Sequence, residues 1–298
     1  MTPEIADTGL WALLIAPLTE FGFMRRALVG CVALSLSCAP VGVFLLLRRM
    51  SLTGDAMAHA ILPGAAIGYL LSGLSLTAMT LGGVAAGLLV AVGSGLVARS
   101  TVLREDASLA AFYLLSLALG VLIVSTRGSS VDLLHVLFGT VLALNDAALT
   151  LLVGIAVATL AALALMYRPL VLECLDPQFL RSVSRFSALA HYGFLVLVVI
   201  CLVAGFHALG TLMAVGIMVL PAATARLWVR GVPALMALAA ALALAACVAG
   251  LLISYHADWP TSPTIVLNLG AVYLVSLLVG RHGAWRSGQH GRQRHLRA

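Results

Sequence analysis

Two side chains suited to binding a metal ion, Asp55 and His59, lie four residues apart in the segment SLTGDAMAHAILPG. That spacing places both on one face of a helix, one turn apart. A carboxylate oxygen and an imidazole nitrogen suit Zn²⁺ or Mn²⁺, whereas a lasting structural zinc site needs four closed ligands. Two protein ligands, completed by water or another helix, would let an ion enter and leave. The alternative is a helix-starting Asp and a hydrogen-bonded interior His, and spacing alone favours neither.

A second group of Asp and His residues falls on what we predict to be the outer side of the membrane. Asp132 and His135 share a face of a short helix, although Asp132 could serve only as the cap of that helix. The other members of the group are His207, His256 and Asp258. Together these residues could form a relay at the entrance to a passage, and the alternative is that they are ordinary polar loop residues.

Residue types that are missing exclude several other chemistries. The chain contains no lysine and so no G-x-x-x-x-G-K-[ST] phosphate loop, which means that another subunit must hydrolyse ATP if ATP drives this protein. The H-E-x-x-H motif of zinc proteases and the G-x-S-x-G nucleophile elbow are also missing. The five cysteines form no C-x-x-C pair, which favours buried packing over metal binding, although Cys31 and Cys38 could share a helix face.

The chain that must position these residues is mostly apolar. Of its 298 residues, 62% are hydrophobic and 9% are charged, and its mean hydropathy is +1.11. Soluble domains carry about 25% charged residues. Apolar runs close to the ~20 residues that cross a bilayer as a helix predict an all-α, polytopic membrane protein with about eight or nine spans. The predicted spans are residues 27–47, 55–73, 76–98, 107–126, 146–167, 187–205, 208–225, 232–253 and 264–280.

These runs define one membrane-spanning domain over residues 27–280, with a shorter segment on each side. Residues 1–26 contain a short apolar run followed by two arginines, which predicts a helix lying at the membrane interface. Residues 131–144 are also too short to cross and are predicted to form a re-entrant or surface helix. Residues 281–298 form a basic, polar tail that would lie near anionic lipid headgroups.

Arginine placement predicts the orientation, because short cytoplasmic loops retain positive charge. A cytoplasmic C-terminus puts nine loop arginines inside and three outside. The inner set is Arg48, Arg49, Arg99, Arg104, Arg168, Arg181, Arg185, Arg226 and Arg230, and the outer set is Arg25, Arg26 and Arg127. The net charge of +6 therefore reflects membrane topology rather than nucleic-acid binding. The expected location is a bacterial cytoplasmic (inner) membrane.

The longest predicted cytoplasmic loop, residues 168–186, contains the string LDPQFLR. Asp176 can cap a helix and Pro177 suits its first position, so the string predicts a short amphipathic helix at the cytoplasmic face over about residues 176–186. From these residues alone, a simple surface helix between spans is the favoured interpretation.

The string VGVFLLLRRMSLTGDAMAHAILPGAAIGYLL resembles the permeases of zinc/manganese-uptake ABC importers. The stretches REDASLAAFYLLSLALG, VDLLHVLFGTVLAL and LGTLMAVGIMVLPAATARLW resemble later parts of the same family, so the likeness runs from about Phe21 to Leu278. The resemblance implies a fold similar to vitamin-B12-type importer permeases. It also implies a homodimer that pairs with two copies of a cytosolic ATP-binding subunit and receives metal from an extracytoplasmic metal-binding protein.

Residue by residue, the resemblance implies roles for two sets of positions. Asp55 and His59 would contribute to the metal path. The segment after the fifth span would dock on the ATPase as a coupling helix through Asp176, Pro177, Gln178, Phe179, Arg181 and Ser184. The family often has Gly near the end of that helix, where this chain has Ser184 or Arg185, which leaves the end of the helix undefined.

The expected function is therefore a transport subunit, not an enzyme, that moves Zn²⁺ or Mn²⁺ by alternating access and holds no permanent cofactor. Zinc is favoured over manganese. The alternatives are a metal-chelate or siderophore permease, a proton-coupled secondary transporter that uses the Asp/His pair as a relay, and an intramembrane hydrolase that uses it as acid and base. The hydrolase would need a second acid or a nucleophile motif beside the pair, and none is found in the sequence.

Overall fold

A computed structural model describes residues 16–73, 75–102, 105–127, 144–176 and 186–280. Within these ranges the chain forms nine long helices and one short helix, with no strand. In chain order they are α1 Ala16–Glu20, α2 Gly22–Leu47, α3 Thr53–Ser72, α4 Leu76–Ser100, α5 Glu105–Arg127, α6 Asp146–Leu175, α7 Phe186–Leu209, α8 Thr211–Arg226, α9 Val232–Ala257 and α10 Thr261–Val279. The predicted all-helical class is confirmed.

Each predicted span matches one long helix, and the largest differences are at helix ends. Helix α2 begins at Gly22 rather than at residue 27, so both arginines assigned to the interfacial segment belong to the first turns of α2. Helix α6 continues to Leu175 rather than ending at residue 167, and it includes Arg168 and Pro169. Residues 168–175 are thus helix and not loop, which shortens the predicted cytoplasmic connection.

Successive long helices run in opposite directions, so their ends gather at two ends of the molecule. We call one the Arg26 end, where Arg26 pairs with Asp146 at the start of α6. We call the other the Arg48 end, where Arg48, just after α2, pairs with Glu173 near the end of α6. Helices α2 and α6 therefore run in parallel. Helices α3, α5, α7 and α9 begin at the Arg48 end.

Seven of the described helices are long and apolar enough to cross a membrane, and α3 and α8 are the long helices that are not among them. Helix α3 contains Asp55 and His59, and α8 has only 16 residues. Both helices bury much of their surface in the protein, which removes the need for an apolar face toward lipid.

The protein core lies around α2 and α7, with the other long spans outside. In their most apolar stretches 78% of α2 and 72% of α7 is buried, against 17% of α5. Small residues let α3 approach its neighbours closely. A Cβ atom on Gly64 would overlap the backbone carbonyl of Gly82 in α4, so the two helices meet backbone to backbone. This contact holds α3 closely against α4.

Candidate functional site

The first two turns of α3 position Asp55 and His59. Asp55 lies in the first turn, where the positive end of the helix dipole favours a carboxylate, and His59 follows one turn later. The Oδ1 atom of Asp55 and the Nε2 atom of His59 are 3.7 Å apart, and the two side chains are 66% and 35% exposed. Two ligand atoms each about 2.1 Å from one ion can be up to about 4.2 Å apart. The pair therefore has the spacing to bind one ion from an accessible face.

A cavity of about 210 Å³ opens beside Asp55, and a second carboxylate, that of Asp106, also lines it. It is lined by Leu52, Thr53, Asp55, Ala56, Asp106, Leu109, Ala110 and Tyr113. Asp106 belongs to the first turn of α5 and was not among the predicted site residues. The sequence does contain the signal, since Asp106 is an acidic residue at the edge of an apolar run.

The pair and its cavity lie at the Arg48 end of the molecule, because α3 and α5 both begin there. His256, in the last turn of α9, and Asp258, which ends that helix in a left-handed conformation at φ 53°, lie exposed at the Arg26 end. The structure thus separates these two entrance candidates from Asp55 and His59 by the length of the bundle. Of the other candidates, His207 lies in α7, but its side chain is outside the described part of the structure. Asp132 and His135 lie outside the described residues.

Of the six residues predicted to dock on the ATPase, only Asp176 falls within the described ranges. Asp176 follows the last residue of α6, and its backbone N–H donates to the carbonyl of Leu172, 2.9 Å away. Its φ of −149° and ψ of 93° are extended, so α6 ends here. The predicted contacts Pro177, Gln178, Phe179, Arg181 and Ser184 lie outside the described residues.

A buried ionic cluster at the Arg48 end was missed from the sequence. Arg48 Nη2 lies 2.5 Å from Glu173 Oε1, and these side chains are 7% and 4% exposed. His191 Nδ1 lies 3.6 Å from the same Glu173 oxygen and 3.4 Å from Arg48 Nη2. Glu173 and His191 are ionisable residues in apolar helices, which is the available sequence signal, but the pairing joins positions far apart in the chain.

The remaining metal-binding candidates do not assemble into a larger site. Within residues 16–73, 75–102, 105–127, 144–176 and 186–280, no three His, Cys, Asp or Glu side chains come together to hold a metal ion. The cysteines are all free thiols, four of them buried, which confirms that they pack as small apolar residues. Asp55 and His59 therefore provide an open pair rather than a closed structural site.

Comparison with known proteins identifies the family to which this chain belongs. The model of the ABC 3 transport family matches residues 20–280. The chain is 32% identical over 262 residues to the manganese import system permease protein ScaB of Streptococcus parasanguinis, covering 88% of this chain and 92% of that protein. It is 30% identical over 269 residues to the chelated iron transport system membrane protein YfeD of Yersinia pestis, covering 90% and 89%.

A solved structure, PsaBC from Streptococcus pneumoniae in complex with a Fab, has the same fold. Its TM-score is 0.81 at 28% identity, and the match covers 93% of this chain and 99% of that chain. A metal-chelate type ABC transporter in an inward-facing conformation also matches, with a TM-score of 0.68 at 15% identity over 92% of this chain and 90% of that chain, which supports the fold alone. Because the family model spans nearly all of the helical bundle, the chain belongs to the ABC 3 transport family of membrane permeases.

Proposed function

We propose that this chain is the permease subunit of an ATP-driven importer that carries Mn²⁺ across the cytoplasmic membrane. The observation that carries this proposal is the open Asp55–His59 pair, with its 3.7 Å spacing, in which Asp55 lines a cavity together with Asp106. Carboxylate oxygens with an imidazole nitrogen form a ligand set that Mn²⁺ and Zn²⁺ both accept.

The chemistry required of a transport site is weak, reversible binding. Asp55 supplies charge and His59 supplies a neutral nitrogen ligand, while water or groups from elsewhere complete the coordination. A site with two protein ligands from one helix releases its ion when a movement of α3 carries the pair away from the water or other groups that complete the coordination. In a homodimer, the exposed face of α3 leaves room for the same pair of a second copy to contribute ligands.

The family relatives move the expected cargo from zinc toward manganese. ScaB of Streptococcus parasanguinis and MntC of Halalkalibacterium halodurans, the latter 31% identical over 260 residues, are both named for manganese. YfeD is named for chelated iron, which keeps a metal-chelate cargo as the second candidate. Imidazole with carboxylate does not separate these metals by ligand type, so the assignment rests on the relatives.

The proposal includes the partners and orientation of an importer. Two copies of this chain would pair with two ATP-binding subunits and receive the ion from an extracytoplasmic metal-binding protein. The connection between α6 and α7, which begins at Asp176, would contact the ATPase. The C-terminus would then be cytoplasmic, with Asp55 and His59 near the inner face and His256 and Asp258 at the entrance side.

Uptake by the reconstituted complex tests the proposed function. Asp55→Ala and His59→Ala should each lower Mn²⁺ uptake at least tenfold, because each removes one of two protein ligands, while basal ATP hydrolysis stays within twofold. Asp146→Asn is the matched control, since it neutralises an exposed carboxylate at the other end and should leave uptake within twofold. Unchanged uptake in both pair variants would contradict the proposal. Uptake of a metal chelate without uptake of the free ion would favour the second candidate.

A further inference from the structure

The side chains of Arg48, Glu173 and His191 are buried, and none of them lines the cavity beside Asp55. A contribution to the stability of the fold does not explain this cluster either. A buried ion pair gains little over well-packed apolar residues of the same size, because taking both charges out of water offsets their attraction. Arg48 Nη1 and Glu173 Oε2 are buried, and each lacks a hydrogen-bond partner among the described residues.

The cluster joins three elements at one point. Arg48 is the first residue after α2, Glu173 lies in the last turn of α6, and His191 lies in the second turn of α7. The connection between α6 and α7 therefore leaves one member of the cluster and returns to another. A movement of this connection would therefore act on Arg48 through both α6, by way of Glu173, and α7, by way of His191.

Arg48 is in turn held to the start of α3 by a tight turn. The backbone N–H groups of Met50 and Thr53 donate to the carbonyls of Leu45 and Met50 at 2.9 Å and 3.0 Å. Arg49 within this turn has a left-handed φ of 60°. These hydrogen bonds restrict the movement of Arg48 relative to Asp55, which lies seven residues further along the chain.

Aromatic side chains also hold the guanidinium group of Arg48 in place. Arg48 Cζ lies 4.9 Å from the centre of the Phe194 ring, in a cation–π contact. The Phe194 ring meets Phe44 edge-on at 6.2 Å, and Phe44 meets Tyr167 in the same way at 6.3 Å. The side chain of Arg48 is thus held by α2, α6 and α7 together.

The other end of the same two helices offers a natural comparison. Arg26 Nε and Asp146 Oδ1 also join α2 to α6, at 2.9 Å, but these side chains are 48% and 78% exposed. An exposed ion pair is screened by water and constrains its helices little. The same helix pair is therefore linked tightly at the Arg48 end and loosely at the Arg26 end.

We propose that Arg48, Glu173 and His191 form the joint that transmits movement of the α6–α7 connection to the metal pair on α3. The inference rests on the proposed function, since it assumes that this connection contacts the ATPase and that Asp55 and His59 bind the transported ion. The three residues are positioning residues. They keep ATP hydrolysis coupled to ion release without touching the ion.

The number of Mn²⁺ ions transported per ATP hydrolysed tests this joint, measured in proteoliposomes with the ATPase subunit and the binding protein. The double variant Arg48→Met with Glu173→Leu replaces the ion pair by apolar side chains. We expect basal ATP hydrolysis within twofold of wild type and an at least tenfold lower ratio of ions to ATP. The matched control, Arg26→Met with Asp146→Leu, should keep the ratio within twofold.

If the cluster had a purely structural role, assembly of the complex, the rate of Mn²⁺ transport and the rate of ATP hydrolysis would all fall together. An unchanged ratio in the Arg48/Glu173 variant, or an equal loss in the control, would overturn the inference. If the double variant fails to assemble, Glu173→Gln replaces it, because this change keeps the shape of the side chain, and an at least threefold lower ratio is expected. A wild-type complex that carries no Mn²⁺ would contradict the proposed function as well, whereas normal wild-type transport with unchanged variants contradicts the joint alone.

Discussion

At the residue scale, the candidate site depends on two ligands supplied by one helix turn. Because Asp55 and His59 are four residues apart, their proximity follows from helical geometry and was predictable from the sequence. Asp106 was not predictable in the same way. It reaches the cavity from α5, and its position depends on how α3 and α5 pack.

Asp106→Asn tests whether the second carboxylate attracts the ion. A unit charge near the pair contributes about 1 kcal/mol at the high effective dielectric of an exposed cavity, or roughly a fivefold change in binding. We therefore expect the KM for Mn²⁺ uptake to rise about two- to fivefold, with the maximal rate nearly unchanged. Asp146→Asn, at the far end, should leave KM unchanged. A wild-type KM for Asp106→Asn would show that Asp106 does not act on the ion.

The cluster of Arg48, Glu173 and His191 shows what residue patterns do not reveal. Arg48 and Glu173 are more than one hundred residues apart in the sequence. Each residue of the cluster, taken alone, is compatible with an ordinary helix end. Only the parallel packing of α2 beside α6, with α7 returning next to both, brings them together. The interpretation of Arg48 as a marker of topology was therefore incomplete.

At the element scale, the position of α3 against α4 depends on glycines at their contact. Gly64 and Gly82 allow the backbones of α3 and α4 to touch, which a larger residue would prevent. The segment's polar residues and its Gly and Pro content also explain why α3 is less apolar than a lipid-facing span. The sequence predicted a helix here but not its close contact with α4.

Gly64→Ala tests this close contact. The added Cβ would overlap the carbonyl of Gly82, so α3 must move away from α4, and overpacking of this kind costs about 1–3 kcal/mol. We expect the Tm of the detergent-solubilised permease to fall by several degrees. Gly154→Ala is the matched control, because its Cβ meets nothing within 4 Å, and its Tm should be unchanged or higher. Equal Tm values for both variants would contradict the close approach.

The end of α6 was predicted eight residues too early, and the reason is physical. Arg168 and Pro169 are common signs of a helix end, yet the helix continues to Leu175. At ~1.5 Å per residue, its 30 residues span about 45 Å, more than the ~30 Å hydrocarbon core. The last turns therefore need no lipid-facing composition, and they carry Glu173 to Arg48.

At the scale of the whole molecule, the sequence predicted an all-helical membrane domain because hydropathy and length constrain spans strongly. It did not predict that α2 and α7 form the centre, since all the spans are similarly apolar. The two ends of the bundle differ in consequence. The Arg48 end combines the open pair, its cavity and the buried cluster, whereas the Arg26 end has exposed His256 and Asp258.

The most direct test of the account is the position of the ion in the assembled importer. A crystal structure of the complex soaked in Mn²⁺, with data collected at the manganese absorption edge, locates the metal independently of any assay. If Asp55 and His59 bind the ion, an anomalous peak lies within about 2.5 Å of both a carboxylate oxygen of Asp55 and the Nε2 atom of His59, and no such peak is present in Asp55→Ala. Manganese bound elsewhere in the membrane domain, with this pair free of metal, would contradict the proposed site.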